Sequence, residues 1–304
     1  MDCRNRKYRD VLYAQRSGIS DDSGHRQVGY NASLSHTGIA MHPMVNIAVR
    51  AARRAGDMTL RYLDRGPRLD VGTKGLNDFV TEVDHKCEAA IIETIHAAYP
   101  AHGILAEETG RHGGGDYLWV IDPLDGTTNF LHGFPQFAVS IALKRKGQLE
   151  HGVIYDPLRQ ELFTASRGQG ALLNDRRIRV SKQRGLQGAL LGTGFPFREL
   201  VNVDAYLATL KALMQDTAGI RRAGAASLDL AYVACGRLDG FWELGLKEWD
   251  MAAGALLIQE AGGLVGDIQG GDSHLESGNI VAGTPRVFEQ ILQALASTTM
   301  PIAT

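Results

Sequence analysis

The composition predicts a chain that can build a large hydrophobic core and has no charge bias. It has 304 residues, of which 44% are hydrophobic, and a formal net charge of −2, which argues against a nucleic-acid binder that works by neutralising phosphates. Cys3, Cys87 and Cys235 are far apart, which argues against a disulfide framework or a zinc site. This use of cysteine indicates the reducing cytoplasm as the expected location. No apolar run reaches the roughly 18 residues of a membrane span, so no segment is expected to cross a bilayer.

The first 40 residues do not have the pattern of a packed domain. Residues 1–40 are rich in Arg, Ser, Gly and Asp, with neither a sustained hydrophobic periodicity nor the apolar segment of a secretion signal. We predict a disordered extension over 1–40 and a single domain over 41–304. Within that domain we expect an N-terminal half of helices and strands over 41–185 and a C-terminal half over 186–296 that alternates strand and helix.

Two amphipathic helices open the predicted domain. The first begins at Pro43, where apolar residues recur at helical spacing, and is stopped by Gly66-Pro67. A loop that contains Lys74 follows, and a second helix covers residues 82–99. Short apolar segments separated by turn residues then predict a meandering, largely antiparallel sheet. Its predicted strands are 103–106, 117–121, 137–143, 152–155, 161–165 and 171–173.

The second half of the chain predicts another sheet covered by helices. Thr284-Pro285 supplies a cap and a first-turn proline for a last helix that ends near Ala296. Two packed sheets with layers of helices are therefore expected. The other predicted elements are strands at 189–193 and 240–244 and helices at 204–215, 227–235 and 250–261.

One segment combines carboxylates with a stiff turn. The apolar run 117–121 is followed by Asp122-Pro123-Leu124-Asp125-Gly126, so a buried strand is expected to deliver both acids into the turn. Pro123 fixes the backbone, and Gly126 allows a positive φ or a close approach to a ligand. The N–H groups that follow are placed to open a helix and to face an anion. Because carboxylates repel phosphate, cations are expected between them, and an all-oxygen ligand set favours Mg2+.

The segment 121–130, IDPLDGTTNF, resembles the signature of the inositol monophosphatase family. Two more elements resemble that family in the expected order, AEET at 106–109 and WDMAAG at 249–254. The resemblance covers residues 41–296 and implies an αβαβα sandwich of the inositol monophosphatase and fructose-1,6-bisphosphatase type, with an α+β layered arrangement, and a homodimer. Residues 41–44, MHPM, are similar to the family's usual N-terminus, which favours Met41 as the true start.

The same resemblance implies a site for two or three Mg2+ ions. Glu107, Asp122 and the Leu124 carbonyl would hold the first ion, whereas Asp122, Asp125 and Asp250 would hold the second. Simpler interpretations are a solvated turn for Asp122 and Asp125, an exposed loop acid for Glu107 and a helix cap for Asp250. Carboxylates that cluster without a cation raise one another's pKa, so such a cluster usually marks a metal site.

Catalytic roles also follow from the resemblance. Asp84 would support the hydroxyl of Thr127, and this pair would help to deprotonate the attacking water that the Glu107 metal activates. Asp84 also fits a capping box with Thr81 at the start of the helix that follows, and the two roles are compatible.

Substrate contacts implied by the resemblance lie in both halves of the chain. Glu243 matches the position that receives a sugar hydroxyl in the family, although a surface acid at a strand end fits its context too. Gly224 and Ala226 match backbone contacts to the polyol. Arg221 and Arg222 are expected to meet either the substrate or a neighbouring subunit. The contacts implied around the phosphate are Leu124, Asp125, Gly126, Thr127 and Asp250.

Four other residues have simpler expected roles. Lys74, in a mobile loop, is expected either to add positive charge near the phosphate or to be solvated. Glu108 is expected to be solvated. The histidines have no spacing typical of metal ligands, so His132 and His151 are expected to be ordinary surface residues.

The implied reaction is Mg2+-dependent hydrolysis of a phosphate monoester by direct attack of water, with myo-inositol 1-phosphate as substrate and lithium as an inhibitor. Histidinol phosphate, fructose 1,6-bisphosphate and 3'-phosphonucleotides stay open as alternative substrates. The run 221–249 most resembles the bacterial branch of the family, whose members also serve as a Nus factor in ribosomal RNA transcription. A role in transcription antitermination, by docking on a transcription elongation factor, is therefore a second hypothesis.

Overall fold

The structure, a computed structural model, describes residues 41–65, 71–75, 78–195 and 203–298. The predicted extension over 1–40 and the predicted helix stop at Gly66-Pro67 lie outside the described residues. Residues from Met41 onward form one compact unit. Among the described residues, no helix has both the length and the apolar character that crossing a membrane requires.

An eight-stranded sheet is built from the first part of the chain. The elements of this part are α1 (Pro43–Arg65), β1 (Val71–Gly75), β2 (Asp78–Thr81), α2 (Glu82–Ala98), β3 (Gly103–Ala106), β4 (Gly110–His112), β5 (Tyr117–Asp125), α3 (Thr127–Leu131), β6 (Ala138–Arg145), β7 (Gln148–Asp156), β8 (Glu161–Ser166), β9 (Gly170–Leu173) and β10 (Arg176–Arg177). The strand order is β10-β9-β8-β7-β6-β5-β3-β4. Its neighbouring strands are antiparallel except for β3 and β5, which are parallel. The predicted meander is therefore confirmed.

A five-stranded sheet is built from the second part. Its elements are β11 (Leu190–Thr193), α4 (Val203–Met214), β12 (Gly219–Arg221), α5 (Ala226–Ala234), β13 (Gly240–Glu243), α6 (Glu248–Glu260), β14 (Leu264–Gly266), α7 (His274–Ser277), β15 (Ile280–Gly283) and α8 (Pro285–Ala296). The strand order is β12-β11-β13-β15-β14. Strand β11 is parallel to both of its neighbours, and β15 is antiparallel to both of its own.

Helices and sheets alternate through the molecule. Helices α1 and α2 pack together on the eight-stranded sheet, where Ala52, Ile91 and Trp119 are fully buried. Helices α5 and α6 lie between the sheets, and α4 and α8 cover the other side of the five-stranded sheet. Helix α6 comes close to β7 because Gly152 has no side chain: a Cβ there would lie 2.9 Å from the Ala253 carbonyl oxygen. The predicted αβαβα layering is confirmed.

Several element boundaries differ from the predictions. The backbone around Lys74 forms β1 rather than a loop, and the side chain lies outside the described part. Strand β4 was missed because Gly110–His112 has no apolar alternation. Strand β5 continues to Asp125 instead of ending at residue 121. Helix α6 begins at Glu248, so Asp250 is in its first turn and is not the cap residue.

Candidate active site

The two acids of the signature segment lie on the bulged end of β5. Asp122 is opposite Ser140 on β6, whereas Asp125 is opposite Ala138, so three steps along β5 match two along β6. Asp122 is 1% exposed and Asp125 is 9% exposed. The Leu124 N–H donates to Asp122 Oδ1 at 3.0 Å, within the irregular segment. A strand bulge, which re-aims side chains, thus replaces the predicted turn after the strand.

Gly126 brings the next segment against the second half of the chain. Its φ is +91°, in the left-handed region that favours glycine. A Cβ at this position would lie 2.8 Å from the Gln136 carbonyl oxygen and 3.3 Å from that of Gly224. Helix α3 begins at Thr127, and the N–H groups of a first helical turn have no partner within the helix. The prediction that this segment opens a helix is confirmed.

The hydroxyl of Thr127 has two acceptors. Its Oγ1 donates to Asp84 Oδ1 at 3.0 Å, and the Leu124 carbonyl oxygen is 3.1 Å away. Asp84 is completely buried and belongs to the first turn of α2. Because a hydroxyl has one hydrogen, the lone pairs of the Thr127 oxygen are left to accept a hydrogen bond from another group. The structure brings together the two residues that were predicted as a pair.

Glu107 lies next to Asp122 because β3 and β5 are parallel neighbours. Ala106, the last residue of β3, is opposite Ile121. The Glu107 N–H then donates to the Ile121 carbonyl oxygen at 3.1 Å.

Asp250 reaches the same region through α6. Ser140, which is opposite Asp122, donates its hydroxyl to the Trp249 carbonyl oxygen at 3.2 Å. Asp250 Oδ2 accepts the Lys247 N–H at 2.7 Å. Asp250 therefore takes part in capping the helix from its third position and is not the cap residue that the simpler interpretation of this acid would make it.

Burial and neighbouring acids raise the pKa values of Asp122 and Asp125. Burial and then the charge of Glu107 hold the pKa of Asp122 well above its ordinary value, and Asp125 and Asp250 act in the same direction. Burial also raises the pKa of Asp125 to about 6, although hydrogen bonds from Ser227 oppose the shift. Ser227 donates its N–H at 2.8 Å and its hydroxyl at 2.5 Å to Asp125 Oδ2.

The donor set fits a hard divalent cation in its chemistry. It consists of two buried and two half-buried carboxylates, whose repulsion a cation would relieve, with the Leu124 carbonyl and the Thr127 hydroxyl beside them. As they stand, no three His, Cys, Asp or Glu side chains in the described part of the chain are grouped closely enough to hold a metal ion. The structure therefore contains converging acids and not a complete coordination shell.

A second group of charges lies beside the five-stranded sheet. The Glu243 carboxylate covers Gly194, where any Cβ would overlap it. Burial and then the charge of Asp229 hold the pKa of Glu243 well above its ordinary value, and Arg222 opposes this shift. Asp229 is buried on α5, and burial holds its pKa high as well. Glu243 is therefore not the surface acid of the simpler interpretation.

Arg222, rather than Arg221, acts on these acids. The Arg222 guanidinium stacks over the Phe195 ring, 5.4 Å from its centroid. The Arg221 guanidinium instead turns back to its own strand, with Nη1 3.3 Å from the Ile220 carbonyl oxygen. Of the two arginines, Arg222 is therefore the one whose charge acts on Glu243 and Asp229.

Asn129, on α3, contacts the loop at residues 223–224, which contains Gly224, one of the predicted backbone contacts to the polyol. Its Nδ2 is 2.8 Å from the Gln136 carbonyl oxygen, 2.9 Å from that of Ala223 and 3.1 Å from that of Gly224. Gly224 has a φ of +84°, and Ala226 begins α5. The two halves of the chain are thus joined at the site.

Two expectations outside this group are wrong. The Glu108 side chain is only 1% exposed and is not solvated. His151 is buried on β7 against His42, with ring centroids 4.4 Å apart. Burial lowers the pKa of His151 to about 4. His132 is exposed, as expected.

Four residues that organise the site were not predicted. They are buried or half-buried polar residues in segments whose pattern is typical of a helix or a turn. The sequence does not indicate which distant group each side chain contacts. The residues are Glu88, Asn129, Ser227 and Asp229.

The layered fold and the acidic end of β5 are the features of the phosphatase family that the sequence resembles. The model of the inositol monophosphatase family matches residues 40–300, and the chain therefore belongs to the inositol monophosphatase family.

The similar proteins are named either as SuhB or as inositol monophosphatases. The chain is 59% identical over 261 residues to the Nus factor SuhB of Pseudomonas aeruginosa, with 84% of this chain and 96% of the relative covered. The crystal structure of the extragenic suppressor protein suhB from Bartonella henselae superposes with a TM-score of 0.81 at 46% identity, covering 84% of this chain and 98% of the other. The inositol monophosphatase from Anabaena (Nostoc) superposes with a TM-score of 0.73 at 39% identity, covering 85% and 97%.

Proposed function

We propose that the protein is a Mg2+-dependent phosphate monoester hydrolase that converts myo-inositol 1-phosphate and water into myo-inositol and phosphate. One observation carries this proposal: the chain next to Glu107 and the chain next to Asp250, which are far apart in sequence, are both hydrogen-bonded beside the buried Asp122, through the Ile121 carbonyl and the Ser140 hydroxyl. Acids packed in this way need a positive charge to be stable in their ionised form. Membership of a phosphatase family supports the phosphate chemistry.

The proposed ligands are those that the resemblance implies. Glu107, Asp122 and the Leu124 carbonyl would hold one ion, and Asp122, Asp125 and Asp250 would hold another, with two or three Mg2+ ions in all. When bound, Mg2+ supplies a Lewis acid that lowers the pKa of the attacking water and neutralises charge on the departing oxygen.

The chain's own residues orient the water and the phosphate. Because the Thr127 hydrogen is donated to Asp84, the Thr127 oxygen accepts a hydrogen from the attacking water. As the water loses that proton, the proton of Thr127 passes to Asp84 Oδ1. The N–H groups of Gly126 and Thr127 donate to the phosphoryl oxygens.

The polyol is held by the second half of the chain. Glu243 accepts a hydroxyl, and the backbone of Gly224 and Ala226 lines the same pocket. The contacts of Asn129 support this role, because they fix the Gly224 loop to α3. Arg222 fits the arginine contact better than Arg221 does, since its charge acts on Glu243.

Phosphate release from a panel of monoesters tests the proposal. The panel contains myo-inositol 1-phosphate, histidinol phosphate, fructose 1,6-bisphosphate and a 3'-phosphonucleotide, each with Mg2+, with EDTA and with added lithium. Asp125→Asn is compared with Asp116→Asn, which changes an exposed acid just before β5. Expected are activity in Mg2+ alone, inhibition by lithium and loss in Asp125→Asn only. Activity in EDTA, or an active Asp125→Asn, would refute the metal mechanism.

A second proposed function is transcription antitermination in the cytoplasm, through a transcription elongation factor of the Nus type. The name of the relative at 59% identity, Nus factor SuhB, favours it. A pull-down with wild-type and Asp125→Asn protein separates the two functions, because binding should survive the loss of the metal site. Absence of any elongation factor from both pull-downs would count against this role.

We also propose a homodimer. Helix α4 supports it, because Leu207 is 50% exposed and Met214, seven residues or two turns further along the same face, is 59% exposed. Sedimentation should give a dimer for the wild type and a smaller species for Leu207→Glu. A wild-type monomer at micromolar concentration would exclude this assembly.

A further inference from the structure

Each backbone N–H in the hairpin loop that contains Glu107 donates a hydrogen bond. Residues 107–109 connect β3 to β4, with Ala106 opposite Gly110. Gly110, the first residue of β4, has a φ of +74°, in the left-handed region that favours glycine. On a surface hairpin such N–H groups would face water. Here the first of them, from Glu107, donates to the Ile121 carbonyl oxygen at 3.1 Å.

The other two N–H groups of the loop share one acceptor side chain, that of Glu88 on α2. Glu88 Oε2 accepts the Glu108 N–H at 2.8 Å, and Oε1 accepts the Thr109 N–H at 2.9 Å. Glu88 is 1% exposed, so water does not compete for its carboxylate. Hydrogen bonds to an ionised acceptor are stronger than neutral ones, and two of them fix both the position and the orientation of the loop.

The same face of α2 holds a second part of the site. Asp84 stands four residues before Glu88, and residues four apart on a helix lie on one face. Asp84 accepts the hydroxyl of Thr127. One rigid helix therefore contacts both the Glu107 loop and the start of α3.

We propose that Glu88 is a positioning residue for cation binding. By holding the N–H groups of Glu108 and Thr109, it fixes the Glu107 backbone between α2 and β5, so that the Glu107 carboxylate stays beside Asp122. In this role Glu88 acts through Glu107. The inference rests on the proposed function, in which Glu107 is a Mg2+ ligand. A purely structural Glu88 would stabilise the hairpin without setting the cation affinity.

A double-mutant cycle separates these roles. Mg2+ binding to the metal-free full chain is measured by titration calorimetry for the wild type, Glu88→Gln, Glu107→Gln and the double variant. Glu88→Gln keeps the shape but removes the charge, and it should weaken Mg2+ binding by about 10-fold, as is typical of residues that orient metal ligands. In the double variant, the loss should be no larger than in Glu107→Gln alone. Glu93→Gln, an exposed change on the same helix, should bind as the wild type does.

Three results would overturn the inference. If Glu88→Gln binds Mg2+ with wild-type affinity while Glu107→Gln binds it more weakly, the inference about Glu88 is wrong but the proposed function is unaffected. Losses that add in the double variant show that Glu88 acts independently of Glu107. Wild-type affinity in Glu107→Gln removes the metal assignment of the proposed function, and the inference with it. If Glu88→Gln does not fold, Glu88→Asp, which keeps the charge but withdraws it from the loop, is measured with the same expected results.

Discussion

The molecule buries aspartate in two places with opposite surroundings. At the end of β7, Asp156 is completely buried, and its carboxylate accepts the N–H groups of Leu158 and Arg159, each at 2.9 Å. The Arg159 guanidinium adds a third bond at 2.6 Å. At the end of β5, Asp122 is almost as buried but accepts one N–H, from Leu124, and is next to other acids.

This contrast separates a structural acid from a functional one. Burial is common to both places, so it does not distinguish them. At Asp156 the fold itself supplies the donors and the positive charge that an ionised carboxylate needs. At Asp122 it supplies further negative charge. Changes at the two places are therefore expected to have opposite effects on stability and on activity.

Asp125→Asn is expected to have the largest effect. Loss of a proposed ligand should lower kcat/KM by about 100-fold or more, since metal catalysis supplies several kcal/mol. In EDTA at neutral pH, the variant should be more stable than the wild type by about 1–2 kcal/mol, because it lacks a buried carboxyl whose pKa is raised to about 6. Urea unfolding measures this difference. Clear destabilisation would make Asp125 a structural acid like Asp156.

Asp156→Ala should give the opposite pattern. Two buried N–H groups and Arg159 lose their acceptor, so the free energy of unfolding should fall by about 2–4 kcal/mol. The dependence of activity on Mg2+ should stay that of the wild type. Urea unfolding and a Mg2+ titration of activity measure the two effects. Asp116→Ala, at an exposed site, is the control, and an equal small change in both variants would remove the contrast.

The stabilising effect of Mg2+ is expected to depend on pH. The pKa of Asp125 in the metal-free fold, about 6, is above the ordinary value, so this group stabilises the metal-free protein at low pH and the contribution is lost as the pH rises through about 6. Mg2+ competes with that proton. It should therefore raise Tm by several degrees near pH 8 and by little near pH 5. Thermal unfolding with Mg2+ and with EDTA tests this, and an equal shift at both pH values would contradict it.

His274→Phe should have the smallest effect. His274 is buried, and neither of its ring nitrogens has a hydrogen-bond partner in the part of the chain that the structure describes. Phe should increase the free energy of unfolding by about 1 kcal/mol at neutral pH.

The gain from His274→Phe should grow in acid. Burial lowers the pKa of His274 in the folded protein, so stability that is present above the ordinary pKa is lost as the pH falls. His132→Phe, at an exposed site, should give no such gain in urea unfolding, and an equal gain would assign the effect to hydrophobicity alone.

Much of the fold could be predicted from sequence because its elements have clear periodicities. Helices α1, α2 and α8 have apolar faces and recognisable ends, and Thr284 caps α8 by accepting the Val287 N–H. Segments without alternation were missed, as Gly110–His112 shows. The bulge in β5 was also missed, since a register shift depends on the neighbouring strand and not on the strand's own residues.

The candidate site was predictable as a set of residues and not as a network of bonds. Motif resemblance named Asp84 and Thr127 as a pair, and the structure joins them. It did not name Ser227, whose two bonds to Asp125 come from far along the chain. It also did not name Glu88, because an acid in an amphipathic helix gives no sign of which backbone groups it accepts.

The position of Trp249 directly before Asp250 gives the chain an internal fluorescence reporter. Of the three tryptophans, Trp119 and Trp242 are fully buried, whereas Trp249 is half-buried directly before Asp250. Indole emission changes with local charge and hydration, so the arrival of a cation at Asp250 should be visible in the fluorescence of the unlabelled protein. Mg2+ binding can then be titrated without a substrate, a dye or a coupled assay.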